Sequence, residues 1–298
     1  MKKLLIIFII FSNILFAKEY SVGFAQTTFD NDWMLAQVKH FQNEIKKHNN
    51  IKVTVTNAQG KVSKQVRDIE GFIKQNVDFI VVCSLNKDIL PLVINKAMKK
   101  NIRVILLSRG IKGDNYTTFI SPNNKQIAQD AAKFLIQKLN GKGKILMLQG
   151  INGVTSSIER EEGFNEIAKN YPDISIIKKR ANYLRNDAIK VMEDLYKENT
   201  KFDAIYAQSD SMLIGAREVV KKHEKNFHYP SVSIDYIKQT REAILNNEQS
   251  ASFLYPTSGK EGAQTIIKLI NGEDVPKRIE IKSSIITKDN AKEIEPIF

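Results

Sequence analysis

Six short apolar segments of this chain each end on a polar or aromatic residue just before a helical pattern. They read SVGFAQ (21–26), FIVVCS (79–84), VILLSR (104–109), ILMLQG (145–150), AIYAQSD (204–210) and SVSID (231–235). Strands that alternate with helices of about 10 to 15 residues form parallel βαβ units. In open parallel sheets a ligand binds in the crevice beyond the carboxyl ends of the strands. The pattern therefore predicts an α/β fold with a binding cleft at the strand ends.

Helical patterns fill the intervals between these segments. They cover residues 33–47, 62–75, 88–100, 124–139, 156–170, 187–198 and 212–225. After the strand pattern at 116–121 the alternation starts again, which predicts a second α/β lobe. The 298 residues also exceed the size at which one hydrophobic core usually keeps growing.

The two lobes are predicted to be joined by short strand crossings, because no Pro-rich or low-complexity linker separates them. The candidate crossings are 120–122, 251–255 and 281–284. They assign residues 18–120 plus 254–282 to an N-terminal lobe and residues 121–253 plus 283–298 to a C-terminal lobe. The ligand cleft is expected between these lobes.

The start of the chain has the pattern of an export signal. Lys2 and Lys3 precede an apolar run at 4–16, and Ala17 offers a small residue after which cleavage is expected. The run is shorter than the roughly 20 residues that span a bilayer, although an uncleaved anchor remains the alternative because Leu15 fits the cleavage pattern weakly. Cys83 is the only cysteine and does not follow the leader, which argues against a lipoprotein. We expect an exported periplasmic protein with residues 1–17 removed.

The formal net charge of +12 falls to about +10 once Lys2 and Lys3 leave with the signal peptide. The lysines are dispersed over helical patterns without interleaved aromatic residues, as on a solvated surface. We therefore expect no nucleic-acid partner, and we expect a monomer.

Several segments together resemble one family. They are VGFAQ followed by Trp33, VILLSRG with Arg109, GVTSSIEREEGF with Arg160, YAQSDSMLIGA, SID ending at Asp235, and IITKDN. In this order the chain resembles the periplasmic sugar-binding proteins of the ribose and galactofuranose type, over essentially all of residues 20–290. The resemblance implies two Rossmann-like lobes with parallel sheets joined by a three-strand hinge, the type I periplasmic binding protein fold. It also implies closure on a monosaccharide and delivery to an ABC transporter.

The first lobe offers four candidate binding residues. A sugar presents an apolar ring face rimmed by hydroxyl groups, so its site needs aromatic platforms and bidentate polar groups. Arg109 offers a planar fork of donors at a strand end, with an exposed surface arginine as the alternative. Trp33 could stack on a sugar, with core packing as the alternative. Gln26 and Asp30 match the polar contacts that the resemblance implies for the first strand-to-helix loop.

The second lobe offers five candidates. Asp235 could accept from two hydroxyl groups, and capping of the following helix is an alternative that does not exclude this role. Arg160 would face the cleft, with a simple ion pair to Glu159 or Glu162 as the alternative. Tyr183 stands where the resemblance implies an aromatic residue. Ser209 and Tyr255 complete the set.

The chain departs from the family pattern at four positions. Ser108 stands where many relatives have an aspartate, and Ser209 stands where they have an asparagine. Leu254 or Tyr255 lies near the position of a glutamine or glutamate in relatives, and Ile158 occupies the position of an arginine. Replacing hydroxyl acceptors changes which sugar a site accepts. We therefore assume neither ribose nor galactofuranose; a less polar, larger or deoxy ligand is consistent with these changes.

Motifs for enzyme chemistry are absent from the sequence. It contains no Gly-x-Ser-x-Gly, His-Glu-x-x-His, GxGxxG or Walker pattern, and its histidines have no metal-ligand spacing. We expect a non-enzyme without metal or cofactor. Its partner is expected to be an ABC transporter permease or, as the alternative, a membrane histidine kinase or chemoreceptor.

Overall fold

A computed structural model describes residues 18–226 and 228–298. The predicted signal peptide at 1–17 lies outside the described residues. Within the described part of the chain the strands form two sheets of six strands each, and helices cover the sheet faces. Over the same ranges, no helix is both long enough and apolar enough to span a bilayer.

The first part of the chain alternates strands and helices up to the first crossing. Its elements are β1 (Tyr20–Gln26), α1 (Asp32–Ile45), β2 (Ile51–Asn57), α2 (Val62–Lys74), β3 (Phe79–Val82), α3 (Leu90–Lys99), β4 (Arg103–Leu107) and β5 (Thr118–Pro122). The helices begin and end within two residues of the sequence-based expectation, because the apolar periodicity marks the face that each helix buries.

The second part repeats the alternation and then returns to the first lobe. Its elements are α4 (Asn124–Lys138), β6 (Gly143–Gln149), α5 (Thr155–Ala168), β7 (Ile174–Arg180), α6 (Arg185–Lys197), β8 (Ala204–Ala207), α7 (Asp210–Glu224), β9 (Ser231–Asp235), α8 (Lys238–Leu245), β10 (Ala251–Leu254), α9 (Gly259–Ile270), β11 (Arg278–Ile281) and β12 (Ile285–Ile286).

The two sheets have matching strand orders. The first runs β11-β5-β4-β3-β1-β2, with every neighbouring pair parallel. The second runs β12-β10-β9-β8-β6-β7 and is parallel except for β12, which pairs antiparallel with β10. The predicted fold class of two α/β lobes with parallel sheets is confirmed.

The chain passes between the sheets at three places. They are the step from β5 to α4 at Asn123, the segment 255–258 between β10 and α9, and the segment 282–284 between β11 and β12. Two of the three sequence-based lobe boundaries fall inside strands, since β5 carries the first sheet as far as Pro122 and β10 keeps Leu254 in the second sheet. The third, after residue 282, falls in the crossing segment 282–284. Helix α9 packs on α1, whereas α4 packs on α5.

The central strands of each sheet are buried on both faces, which explains why they are continuous apolar runs, unlike the edge strands β2, β7 and β11. Strands β3 and β8 are buried along their whole length. Apolar clusters lie on both faces of each sheet. Helix packing is close at Gly163 of α5, where a Cβ atom would lie 2.3 Å from the backbone oxygen of Lys125 in α4.

Candidate ligand-binding site

A cavity lies between the lobes, beyond the carboxyl ends of strands from both sheets. Its lining residues are Asn31, Trp33, Met34, Ser108, Arg109, Ser156, Arg160, Tyr183, Ser209, Asp235 and Tyr255. The interior leaves about 30 Å³ for the centres of water molecules. By that measure one water needs about 10 to 15 Å³, so the enclosed interior holds about two or three waters. The whole space between the lining atoms, including the part open to solvent, is about 360 Å³.

Three aromatic rings form the apolar walls of the cavity. Trp33 near the start of α1 donates its indole Nε1–H to the backbone oxygen of Tyr255 at 3.3 Å, and the two ring centroids lie 5.8 Å apart. Tyr183 approaches from the loop after β7, where its backbone has a left-handed φ of 64°. A Cβ atom at position 150 would overlap the Tyr183 ring at 2.0 Å, so glycine is required there. The rings leave flat apolar faces next to polar groups.

Arg160 is held rigidly in the second lobe. Its side chain is buried, its Nε donates to Asn124 Oδ1 at 3.0 Å, and its Nη1 donates to the backbone oxygen of Gln208. The guanidinium carbon lies 4.4 Å from the centroid of the Tyr255 ring and 5.9 Å from that of Tyr183. These contacts fix the plane of the fork, and none of them is the ion pair with Glu159 or Glu162 that was the alternative to a role in the cleft.

Arg109 differs from Arg160 because its side chain has no hydrogen bond to any of the described residues. It follows β4 in the first lobe, is only 4% exposed, and its buried Nη1 has no hydrogen-bond partner. Its guanidinium carbon lies over the Tyr183 ring at 5.3 Å from the centroid. An unpaired buried donor costs free energy, so its presence in a cavity wall indicates a group that a ligand satisfies.

Asp235 presents the carboxylate of the cavity from the end of β9. Its backbone has a φ of 135° and the next residue, Tyr236, a φ of 62°, both rare for residues other than glycine. Burial, together with the nearby Asp210 carboxylate, raises the pKa of Asp235 well above its usual range, and Arg160 and Arg109 counter part of this effect. Backbone strain of this kind is typical of functional sites.

A buried polar network under the cavity holds the strained loop. Asp210 Oδ2 accepts the backbone N–H of Ile237 at 2.8 Å, and its Oδ1 accepts the hydroxyl groups of Ser233 and Ser252. Arg217 reaches the same network because its Nη1 donates to Gln249 at 2.7 Å and the Gln249 amide donates to Ser233 at 2.7 Å. The network anchors the loop that carries Asp235.

The serines of the lining have different roles. Ser209 caps α7 by accepting the backbone N–H of Met212 at 3.4 Å, and Ser156 Oγ lies 3.1 Å from the Tyr183 hydroxyl. Ser108 turns its hydroxyl group away from the cavity centre and towards the crossing segment 255–258, where Oγ lies 3.0 Å from that of Ser258 and accepts from Gln37 at 3.1 Å.

Direct contacts join the lobes around the cavity. Asn31 Nδ2 donates to the backbone oxygen of Tyr183 at 3.0 Å, and the backbone N–H of Gly110 donates to Thr155 Oγ1 at 2.9 Å. The backbone N–H of Lys87 donates to the Gly153 oxygen at 3.1 Å. The cleft is therefore closed in this structure.

The structure brings together seven of the nine residues that the sequence indicated. They are Trp33, Arg109, Arg160, Tyr183, Ser209, Asp235 and Tyr255. Asn31, Met34, Ser108 and Ser156 also line the cavity, although the sequence reasoning did not assign them to it. Ile158 and Leu254, two of the departures from the family pattern, are not among the lining residues.

Gln26 and Asp30 are corrections to the sequence-based assignment. Gln26 is fully buried beneath the cavity, and its amide group donates to Gln37 at 3.0 Å and to the backbone oxygen of Met34 at 3.2 Å. Asp30 stays in the exposed loop and accepts the Thr28 hydroxyl at 2.9 Å. The neighbouring Asn31 faces the cavity because it is the N-cap of α1; a polar residue directly before a helix is the signal for that position.

Chemistry other than binding has little support at this site. Among the residues that the structure describes, no group of three or more His, Cys, Asp or Glu side chains is arranged to hold a metal ion. Cys83 is fully buried, and burial raises the pKa of its thiol to about 11, the opposite of what a nucleophile requires.

Comparison with known proteins decides the family. The family described as the periplasmic binding protein domain matches residues 22–274. The chain belongs to this family. The ribose import binding protein RbsB of Bacillus subtilis is 26% identical over 264 residues, which are 88% of this chain and 85% of the relative. The galactofuranose-binding protein YtfQ of Escherichia coli is 28% identical over 294 residues, 95% of this chain and 92% of the relative.

Solved structures agree with this family membership. The fructose-binding periplasmic domain of a hybrid two-component system superposes with a TM-score of 0.86 at 28% identity, covering 92% of each chain. A galactofuranose-binding protein superposes with a TM-score of 0.85 at 27% identity, covering 92% of this chain and 96% of the other. The resemblance inferred from the sequence is confirmed, as is the type I periplasmic binding protein fold.

Proposed function

We propose that this protein is a periplasmic solute-binding protein that captures a monosaccharide or similar small polyhydroxylated ligand and delivers it to an ABC transporter. One observation carries the proposal: a small closed cavity between the lobes combines aromatic walls with two buried arginines and a buried aspartate. Relatives named for ribose, galactofuranose and fructose support a sugar-like ligand.

The ligand is held by complementary faces. Its apolar face packs against Trp33 and Tyr255, whose rings line the cavity. Its hydroxyl groups accept from the guanidinium forks of Arg109 and Arg160 and donate to Asp235, while Ser209 provides a smaller polar group. Because Arg160 and Asp235 are already oriented by their protein partners, little conformational entropy is lost on binding.

Closure of the lobes is coupled to binding. The ligand touches Trp33 and Arg109 of the first lobe and Arg160, Tyr183 and Asp235 of the second, and an open cleft cannot make both sets of contacts together. A ligand shifts a conformational equilibrium only by its difference in affinity for the two states, and these bridging contacts supply that difference. The crossing segments 255–258 and 282–284, together with Asn123, act as the hinge.

Export to the periplasm and action as a monomer are parts of the same proposal. The leader at 1–17 and the family membership support export with cleavage after Ala17. The same membership supports a binding role without catalysis, metal or cofactor.

A sensor subunit is the second candidate, favoured by the similarity to the periplasmic domain of a hybrid two-component system. In that role the closed lobes contact a membrane histidine kinase or a chemoreceptor and not a permease. Both roles require the same cavity and the same closure. The two roles differ in the surface of the closed lobes that the membrane partner contacts.

Ligand binding is tested by thermal unfolding of residues 18–298, after unfolding and refolding to remove carried ligand. The panel contains pentoses, hexoses, deoxy sugars, polyols and sugar acids. A ligand at a hundred times its dissociation constant adds about 2.7 kcal/mol to the free energy of unfolding, which raises the midpoint by several degrees. If no compound raises the midpoint, the proposed ligand class is wrong.

Two cavity variants test whether the ligand binds in the cavity. Arg109→Ala and Asp235→Ala each should weaken binding of a panel ligand by about 1.5 to 3 kcal/mol, as expected for hydrogen bonds to charged groups. Arg185→Ala is the matched control, since this arginine lies on the second lobe outside the cavity and contacts Gln239 and Glu218. Unchanged affinity in both cavity variants would contradict the site.

Transport and sensing are separated in a strain that lacks the gene. If the protein feeds a transporter, deletion abolishes uptake of the radiolabelled ligand, and wild-type protein restores it whereas Asp235→Ala does not. If it is a sensor subunit, uptake continues and the transcriptional or chemotactic response to the ligand is lost.

A further inference from the structure

The charged residues of the cavity lining are two arginines and one carboxylate: Arg109 of the first lobe, and Arg160 and Asp235 of the second. Arg160 has the Asp235 carboxylate as a neighbour, and Asn124 links it to Glu159, whose Oε2 accepts the Asn124 amide at 3.0 Å. The deeper Asp210 shares a hydrogen-bonded network with Arg217. Asp235 interacts electrostatically with both Arg160 and Arg109, and among the described residues it forms an ion pair within 4.0 Å with neither. The lining therefore carries one positive charge in excess.

Arg109 differs from Arg160 in having no side-chain hydrogen bond to the described part of the protein. The first lobe supplies Asn31, Trp33, Met34 and Ser108 to the lining beside it, none of which is acidic. Among the described residues no carboxylate oxygen lies within 4.0 Å of its nitrogens, and its buried Nη1 is without a partner. One buried guanidinium thus faces the cavity with an unpaired hydrogen-bond donor, and it shares the single carboxylate of the lining with Arg160.

We propose that the ligand is a sugar acid whose carboxylate is bound by Arg109, while its hydroxyl groups are bound by Arg160, Asp235 and Ser209. This inference rests on the proposed function, because it specifies the ligand of the same cavity. The preferred compounds are then small aldonic or uronic acids and not the corresponding neutral sugars.

The preference for an acid has an energetic reason, because a ligand can accept a hydrogen bond from Arg109 without neutralising its positive charge. A neutral hydroxyl group can accept from Nη1, but it leaves the buried positive charge without a counter-ion. A carboxylate accepts two parallel hydrogen bonds from the planar fork and neutralises the charge, and such charge-assisted pairs are about twice as strong as neutral ones. The Asp235 carboxylate does not form these hydrogen bonds, because its oxygens lie more than 4.0 Å from the nitrogens of Arg109.

The small volume of the closed cavity favours a carboxylate over a larger anion. The interior leaves about 30 Å³ for the centres of water molecules, and the aromatic rings of Trp33, Tyr183 and Tyr255 bound it. A carboxylate attached directly to a sugar ring or chain adds little volume, whereas a phosphate ester adds a tetrahedral group and its linkage. Sugar phosphates therefore form a separate arm of the test.

Isothermal titration calorimetry of the stripped protein compares matched pairs: galactose with galacturonate, glucose with glucuronate and with gluconate, and glucose with glucose 6-phosphate. We expect one of the acids to bind at least tenfold more tightly than its neutral counterpart. Arg109→Gln should weaken binding of that acid by about ten- to a hundredfold, as for hydrogen bonds to charged groups, and should largely remove the preference. The control Arg185→Gln should change neither affinity.

A second measurement needs no ligand and guards against a misfolded variant. The Arg109 side chain is buried and its Nη1 donor has no hydrogen-bond partner. Arg109→Gln should therefore raise the unfolding midpoint of the ligand-free protein or leave it unchanged. Arg160→Gln should lower it, since it removes the donors to Asn124 and Gln208. If Arg109→Gln lowers the midpoint as much as Arg160→Gln does, Arg109 is a structural residue and the inference is overturned.

The outcomes of the titrations separate the two claims. If a neutral sugar binds as tightly as its acid, the inference fails and the proposed function stands. Tighter binding of glucose 6-phosphate than of every acid overturns the carboxylate assignment alone. If neither sugars nor their acids and phosphates bind, both the inference and the proposed ligand class fail.

Discussion

Asn31 of the first lobe donates its side-chain amide to the backbone oxygen of Tyr183 in the second lobe, at 3.0 Å. The same side chain caps α1, because its Oδ1 accepts the backbone N–H of Met34 at 3.2 Å. One residue therefore begins a helix and joins the lobes at the edge of the cavity. The closed state depends on contacts of this kind as well as on the ligand.

Asn31→Asp should weaken ligand binding without damaging the fold. Aspartate keeps the acceptor that caps α1 but cannot donate to the Tyr183 oxygen. Loss of one hydrogen bond corresponds to about 0.5 to 1.5 kcal/mol, and we expect it mainly as faster dissociation in stopped-flow experiments. Asn31→Ala also removes the cap, at a further cost of about 1 kcal/mol in stability. Equal dissociation rates for wild type and Asn31→Asp would show that the contact does not hold the closed state.

Asp235 predicts a pH dependence of stability in the ligand-free protein. Its pKa is raised above the unfolded value of 3.8, so the folded state binds the proton more tightly than the unfolded state. The stability from this group is fully present below pH 3.8 and is lost as the pH rises through the folded pKa. Asp235→Asn should therefore be more stable than wild type at pH 8, and this difference should shrink towards pH 4.

Urea unfolding of both proteins between pH 4 and pH 8 checks this prediction. The control is Asp194→Asn, whose side chain is 65% exposed and lies outside the cavity. A stability difference between Asp235→Asn and wild type that is constant over this range would mean that the Asp235 carboxylate is not destabilised by burial.

Two glycines in helices should respond to alanine in opposite directions. At Gly163 a Cβ atom would lie 2.3 Å from the Lys125 backbone oxygen, so Gly163→Ala should force α4 and α5 apart and cost about 1 to 3 kcal/mol. Gly71 in α2 has nothing within 4 Å of the same atom, and alanine there should add about 0.5 to 1 kcal/mol. Chemical denaturation measures both; destabilisation by Gly71→Ala, or none by Gly163→Ala, would contradict the packing described.

The fluorescence of Trp33 reports on the cavity, because Trp33 is the only tryptophan of the chain and lines the cavity wall. A ligand that packs on its ring should shift the emission with the same saturation curve as the heat of binding. Trp33→Phe should keep the fold and an apolar face but lose the hydrogen bond to the Tyr255 oxygen. Binding heat with no change in Trp33 emission would indicate a site elsewhere.

The fold could be predicted from the sequence because apolar residues recur at the spacings that are typical of buried strands and of helices with one buried face. Apolar runs such as FIVV (Phe79–Val82) and AIYA (Ala204–Ala207) are buried on both faces, and the helices between them have one apolar side. The carboxyl ends of parallel strands lie at one edge of each sheet. Arg109 and Asp235 stand at such strand ends, and both could therefore be predicted to lie near the cleft. The exact strand at which each lobe ends was less well predicted, since β5 and β10 each cross a boundary by one or two residues.

The site was harder to predict wherever a loop decides the direction of a side chain. Asp30 and Asn31 are both polar and adjacent, and only the N-cap geometry of α1 turns Asn31 towards the cavity. Gln26 ends β1 as expected, but its amide group satisfies buried partners beneath the site. The absence of a hydrogen-bond partner for the buried Nη1 of Arg109 depends on three-dimensional distances that no linear pattern contains.

The central claim is that a small ligand is held between lobes that close around it, and small-angle X-ray scattering tests it most directly. Stripped protein, residues 18–298, is measured alone and with a saturating ligand from the panel. If binding closes the lobes, ligand lowers the radius of gyration and the scattering curve of the liganded protein matches the closed structure. If calorimetry shows binding at one molecule per chain while the radius of gyration stays the same, binding is not coupled to closure and the account is contradicted.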